Sequence, residues 1–137
     1  MRSRFRIPLL LLLSLALVAC AALNSPAKQQ KEALDKFMYA LRWRLHPEAA
    51  AYFTDEYGEA FLAQMEALVG LNVTEVRLNK VEIKEEGQRA DTVMEMDYFI
   101  LPSTTLKTLK IKQTWRYLGP AGADGRYLIT TPFPQLP

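Results

Sequence analysis

Few residues in this chain combine a reactive type with a setting that could use it. Cys20 is the only cysteine and His46 the only histidine. A general acid or base needs a titrating group in a water-poor site, beside a partner that shifts its pKa. His46 stands directly before Pro47, where capping helix carbonyls or plain exposure is the expected role. Asp97 adjoins Tyr98, a carboxylate beside a phenol, yet strand alternation assigns Asp97 to an outward face, away from any pocket. Gln113 falls between Ile111 and Trp115 on an otherwise apolar inward face. Its amide must either bond to nearby backbone or point into a ligand cavity, and the structural role is expected. Trp43, Tyr98, Gln113 and Trp115 are the candidate lining of such a cavity, although inward aromatics more commonly form plain core. Without a second histidine, a second thiol or carboxylates at ligand spacing, no metal and no cofactor is expected. Serine nucleophile elbows and glycine-rich phosphate loops are also absent.

Cys20 has a different kind of setting. Arg2, Arg4 and Arg6 give a cationic start, and Ile7 to Val18 is apolar apart from Pro8 and Ser14. This is the order of a signal peptide, and an apolar run of about twelve residues is short of the roughly twenty a helix needs to cross a bilayer core. The segment Leu17-Val18-Ala19-Cys20 then resembles the lipobox of bacterial lipoproteins. That resemblance implies that residues 1–19 are cleaved, that the Cys20 thiol carries a diacylglycerol, and that the bilayer is a partner through the acylated cysteine. Ala21 and Ala22 follow, with no aspartate of the kind that retains enterobacterial lipoproteins at the inner membrane. The resemblance therefore favours the outer membrane, with the domain facing the periplasm.

Of the seventeen lysines and arginines, three belong to the leader, which leaves fourteen against fifteen acidic residues. A near-neutral mature chain gives no electrostatic case for nucleic acid. What remains after residue 19 suffices for one domain: a lipidated tether over 20–27 and a single α+β domain over 28–137.

The elements that would position any site follow from periodicity. Leu34, Phe37, Met38, Leu41 and Leu45 recur at three- and four-residue spacing, which predicts a half-buried helix from Lys28 to Leu45. Pro47 breaks it and can open a short helix to about Phe53. Thr54-Asp55 marks the start of a third helix, whose stripe is Tyr57, Phe61, Met65, Leu68 and Val69, ended by Gly70. Beyond Gly70 the period falls to two. Val76 and Leu78 have opposite parity to Val81 and Ile83, so a bulge at Asn79-Lys80 is expected to turn both pairs inward. The next strand directs Ala90, Thr92, Met94, Met96, Tyr98 and Ile100 inward; a third does the same with Leu109, Ile111, Gln113, Trp115 and Tyr117. The outward Asp91, Glu95 and Asp97 are expected to meet Lys110, Lys112 and Arg116 across these strands. A loop from Gly119 to Gly125 leads to a last strand, Arg126 to Thr131.

Helices followed by a curved, mostly antiparallel four-stranded sheet make an α+β domain with helices on one sheet face. The opening Glu32-Ala33-Leu34-Asp35-Lys36-Phe37, the Tyr52-Phe53 after the proline break, and Thr114-Trp115-Arg116-Tyr117 ahead of Asp124-Gly125-Arg126-Tyr127-Leu128-Ile129 resemble the NTF2-like superfamily. The last turn is longer than usual there, and Tyr127 replaces a common tryptophan. The resemblance implies a cone whose open end can hold a ligand, in a group that mixes enzymes with binding modules, so fold alone does not select a function. Two functions follow: a non-catalytic, membrane-tethered module binding a protein or envelope ligand, or a small isomerase or dehydratase with an apolar substrate in the cone. The enzyme requires an inward carboxylate or histidine. A homodimer formed through the charged outer sheet face is a third expectation.

Overall fold

The computed structural model describes residues 26–119 and 125–137. The leader, Cys20 and the first part of the tether lie outside the described residues. Three helices precede a four-stranded antiparallel sheet: α1 (Pro26–Arg42), α2 (His46–Ala50), α3 (Asp55–Ala67), β1 (Leu71–Lys84), β2 (Arg89–Ile100), β3 (Lys107–Leu118) and β4 (Arg126–Ile129). The strands follow one another in the order β1-β2-β3-β4. The chain is thus an α+β fold, as the change of period predicts.

Helix α1 begins two residues earlier and ends three residues earlier than the apolar stripe suggests. Pro26 is tolerated in the first turn, where its missing N–H has no helical partner to lose, so Pro26 and Ala27 belong to the helix and not to the tether. At the other end Arg44 takes a left-handed φ of 55°. The Leu45 N–H then donates back to the Ala40 carbonyl at 2.9 Å and the Arg44 N–H to Leu41 at 3.3 Å. That pair of bonds is a Schellman closure, and it turns Leu45 out to the surface. Leu34, Phe37, Ala40 and Leu41 are the buried face. Val69, the last residue of the third expected stripe, is likewise exposed, because α3 stops at Ala67 and Gly70 reverses the chain with φ 87°.

In the sheet, every second residue of β2 from Ala90 to Tyr98 is buried, matching the expected inward face. On β3, Ile111, Gln113 and Trp115 are buried while Leu109 and Tyr117 are partly so. Strand β1 carries the bulge expected near Asn79 and a second one at Thr74. Val76, Leu78, Val81 and Ile83 do share the inner face, opposite Met96, Met94, Thr92 and Ala90, but they are not core. Ile83 is 52% exposed, and Leu78 and Val81 also reach solvent. A 17-residue helix is about 25 Å long, and a 14-residue strand about 45 Å. One helix cannot cover that strand.

The core is an aromatic layer. Phe37 meets Trp115 and Phe53 edge-on, each at 5.6 Å between centroids, and Phe53 stacks on Phe61 at 5.2 Å. The C-terminal tail returns Phe133 onto Phe61 at 5.1 Å, fastened by Gln64, whose side chain donates to the Pro134 carbonyl and accepts from the Leu136 N–H. The free edge of β4 is closed by residues 52–54: the Ile129 N–H donates to Tyr52 and the Thr54 N–H to Ile129.

Helices α2 and α3 approach so closely that a Cβ at Gly58 would lie 2.9 Å from the Ala50 carbonyl oxygen. Glycine inside a helix ordinarily costs about 1 kcal/mol relative to alanine. Here Gly58→Ala is expected to lower stability instead, by roughly 1 to 3 kcal/mol as in overpacked cores. Urea unfolding followed by circular dichroism checks this, and a stabilised variant contradicts the packing described.

Candidate functional site

The four residues expected to line a cavity do not converge on one. Trp115 and Tyr98 are fully buried in the core. The Trp115 indole N–H donates to the Thr92 hydroxyl at 3.2 Å, so its polar atom is satisfied inside the sheet. Trp43 lies at the C-terminal end of α1 and is 57% exposed, with its ring 6.2 Å from that of Tyr39. Gln113 is buried opposite Thr92, and neither its amide nitrogen nor its oxygen has a hydrogen-bond partner among the described residues.

Asp97 is on the outer face of the sheet, and His46 is at the start of α2 against a core ring. Asp97 projects from the outer face of β2, where Arg77 of β1 grips both its oxygens and the Thr108 hydroxyl donates to it at 2.6 Å. Arg77, and then Thr108, hold its pKa at about 2. A general base at neutral pH needs the opposite shift. His46 opens α2, half-buried with its ring 6.4 Å from Phe61. Burial, with the Arg44 charge second, lowers its pKa despite an opposing effect of Glu66. Its neutral form is the one that this packing accommodates.

The outer sheet face has a different pairing from the one expected. The register sets only Glu95 directly opposite a lysine of β3, Lys110, while Asp91 and Asp97 face Thr114 and Thr108. The carboxylates take their cations mainly from β1. Arg77 bridges Glu75 at 2.9 Å, Glu95 at 3.3 Å and Asp97, and Lys84 reaches Asp91 at 2.9 Å. Asp91 also accepts from Arg89 and Thr114, and its pKa is drawn down to about 2, with Lys84 the largest cause. Lys110 and Lys112 have no carboxylate partner among the described residues. Two bulges in β1 shift its register, which sequence alternation alone does not position.

Concave surface exists, but at the rim of the fold. A cleft of about 480 Å³ runs between α1, α2 and the start of β4, floored by Ala33, Tyr52 and Tyr127 and edged by Glu32, Lys36, Glu48 and Arg126. A neighbouring cleft of about 560 Å³ lies between α2, α3 and β4. None of Trp43, Tyr98, Gln113 and Trp115 lines either; Gln113 lines a separate hollow of about 270 Å³ with Arg89, Thr92, Lys112 and Thr131. Among the described residues no group of histidine, cysteine and carboxylates is placed to hold a metal. Among the described residues the buried polar side chains are Gln30, Thr92 and Gln113.

A second surface was not anticipated. The end of the sheet where β1 begins, β2 ends and β3 begins collects exposed apolar side chains. Val69 is 85% exposed, and Leu101 and Leu106 project nearby, with Gly70 packed against Leu101. The C-terminal end of α1 is fastened to the same place: Arg42 donates to the Val73 carbonyl at 2.7 Å and Arg44 to Leu71 at 3.0 Å. Tyr39, Trp43 and Leu45 therefore join this end. The guanidinium of Arg42 lies 4.8 Å from the centre of the Trp43 ring, a cation–π distance. Val69 was legible only as the end of a helical stripe and Trp43 only as a possible cavity wall; what frees them is where the helices stop.

No known family model matches this chain, and no curated protein sequence matches it either.

Two outcomes follow. Asp91 and Asp97 have folded pKa values below the usual carboxylate value, so their contribution to stability is present above about pH 4 and is lost as pH falls toward about 2. Carbon-detected NMR titration should place both carboxyls near that value, and Asp97→Asn should flatten the acid limb of a stability-versus-pH curve; a near-neutral Asp97 pKa would instead suit an acid-base role. Gln113→Met removes a buried, unpartnered amide while conserving volume. Thermal and urea unfolding should show it neutral or stabilised by up to roughly 3 kcal/mol, whereas a loss would mean that the amide has a partner.

Proposed function

We propose that the chain is the precursor of a bacterial lipoprotein, cleaved before Cys20 and held to the membrane by acyl chains on that thiol. Leu17-Val18-Ala19-Cys20 after a cationic and apolar leader carries this reading. Among the described residues no helix is long and apolar enough to cross a membrane. Two or more acyl chains, at about 0.8 kcal/mol per buried methylene, make a durable anchor. By the same resemblance, Ala21 and Ala22 in place of an inner-membrane-retaining aspartate favour the outer membrane over the inner.

The domain so anchored is best read as a non-catalytic binding or assembly module of NTF2-like type facing the periplasm. Helices on one face of a four-stranded antiparallel sheet are compatible with that superfamily, at the level of architecture only. The aromatic core, with Asp97 on the outer face of the sheet and His46 packed against Phe61, supports binding at the surface. The alternative, an isomerase or dehydratase, needs an inward acid or base that neither residue supplies.

Growth of a bacterial host with radioactive palmitate is expected to label the native chain and not Cys20→Ala, with the variant running as the larger, uncleaved precursor. Equal labelling of the two would refute the anchor.

A further inference from the structure

The solvent-facing side of α1 has a composition of its own. Lys28, Lys31, Glu32, Asp35, Lys36, Tyr39 and Trp43 are all exposed, and their spacing of three and four puts them along one side of the helix. The acidic members are matched within the helix, Glu32 by Lys28 at 4.0 Å and Asp35 by Lys31 at 3.1 Å. This side holds three lysines against two carboxylates, an excess of one positive charge, and it ends in two aromatic rings; Arg42 and Arg44 turn instead to the carbonyls of β1. Basic side chains leading into tyrosine and tryptophan suit a bilayer interface, where such rings place an apolar body at headgroup depth and keep a polar tip wet.

We propose that α1 lies along the membrane surface, with Tyr39 and Trp43 seated in the interfacial zone, so that the helix and the lipid on Cys20 together hold the domain down. This rests on the lipoprotein reading. Chain length excludes one way of bringing the rings to the bilayer. Five residues separate Cys20 from Pro26, and the six Cα-to-Cα steps, at about 3.5 Å each, span no more than about 21 Å. Trp43 lies about 25 Å further along the helix axis. With α1 upright and its aromatic end down, the tether would not reach the bilayer from the far end of the helix. With α1 lying down, both the lipid and the rings reach it. The anchor also removes most of the entropic cost of docking, since the surface is already at high effective concentration. The adjoining exposed Val69, Leu101 and Leu106 extend the apolar surface at the same end of the molecule.

The two tryptophans of the protein report this directly, because Trp115 is 0% exposed and Trp43 is on the proposed contact side. The full chain, processed in its bacterial host, is reconstituted into vesicles of phosphatidylethanolamine and phosphatidylglycerol with and without bromine on the acyl chains. Docking predicts that brominated lipid removes the Trp43 share of the emission and leaves that of Trp115. Trp43→Phe should then be insensitive to bromine, and Tyr39→Ser should weaken quenching of Trp43 while the protein still floats with the vesicles. Flotation and palmitate label report the anchor separately. Label and flotation without quenching, with Trp43 instead quenched by aqueous iodide, overturn the docking and leave the lipoprotein reading intact. Absence of label overturns both.

Discussion

Trp115 is the constraint around which the rest is arranged. Its row across the sheet runs from Ala90 to Ile129, and a side chain of that size leaves room for nothing larger than alanine beside it on β2. Phe37 closes over it from α1, and Tyr52 approaches at 6.3 Å from the chain after α2. The indole N–H needs an acceptor once water is excluded, since burying an unpaired donor costs about 1 to 3 kcal/mol, and Thr92 in the next row provides one. That hydrogen bond fixes the ring, the ring fixes the height of α1, and α1 in turn sets how Phe53, Phe61 and Phe133 stack. The layer is closed by contacts between rings rather than by polar groups.

Covering the sheet with one long helix has a second consequence. Because α1 is shorter than β1, the choice is which half of the strand to protect. Arg42 and Arg44 protect its start by donating to the carbonyls of Leu71 and Val73, occupying outward main-chain groups that would otherwise invite another strand. The far half is left with charged outer residues, Lys80, Glu82 and Lys84, in ion pairs along the edge. These pairs are solvent-exposed and contribute little to stability. Their value is to blunt an edge that the helix cannot reach.

The inward faces of β2 and β3 were readable from alternation alone, because burial on one face imposes a strict period of two, and Thr92 and Gln113 kept the parity although polar. The two longer helices were readable from their stripes and the short one from Pro47, but not their ends. At Arg44 and Leu68 the stripe continues in sequence while hydrogen bonding turns the chain, and a non-glycine residue in the left-handed region leaves no mark in the sequence. Charge pairing on the outer face was misread for a related reason. It depends on register, and the bulge at Thr74, which nothing in the sequence announces, moves Arg77 beside Glu95 and Asp97. Trp43 fell between the two limits, assigned inward by residue type and carried outward by the end of α1. Cys20 and its leader are different, because their reading is chemical and needs no tertiary contact.

Where the charge resides separates the kinds of partner this surface suits. Arg42, Arg44 and Arg126 spend their guanidinium groups on backbone carbonyls, and Arg77 and Arg89 on carboxylates. The planar fork that recognises phosphate or carboxylate in two-point fashion is thus committed to the fold itself. Lys36, Lys107, Lys110 and Lys112 have no ion-pair partner among the described residues. A lysine ammonium is a hydrated point charge on a flexible stem, and it selects poorly among anions. A protein surface of this kind gains little from a small, precisely shaped anion. It gains from an extended anionic plane, where many weak contacts of about 1 kcal/mol each add up and where exposed rings find an apolar layer just beneath the charge.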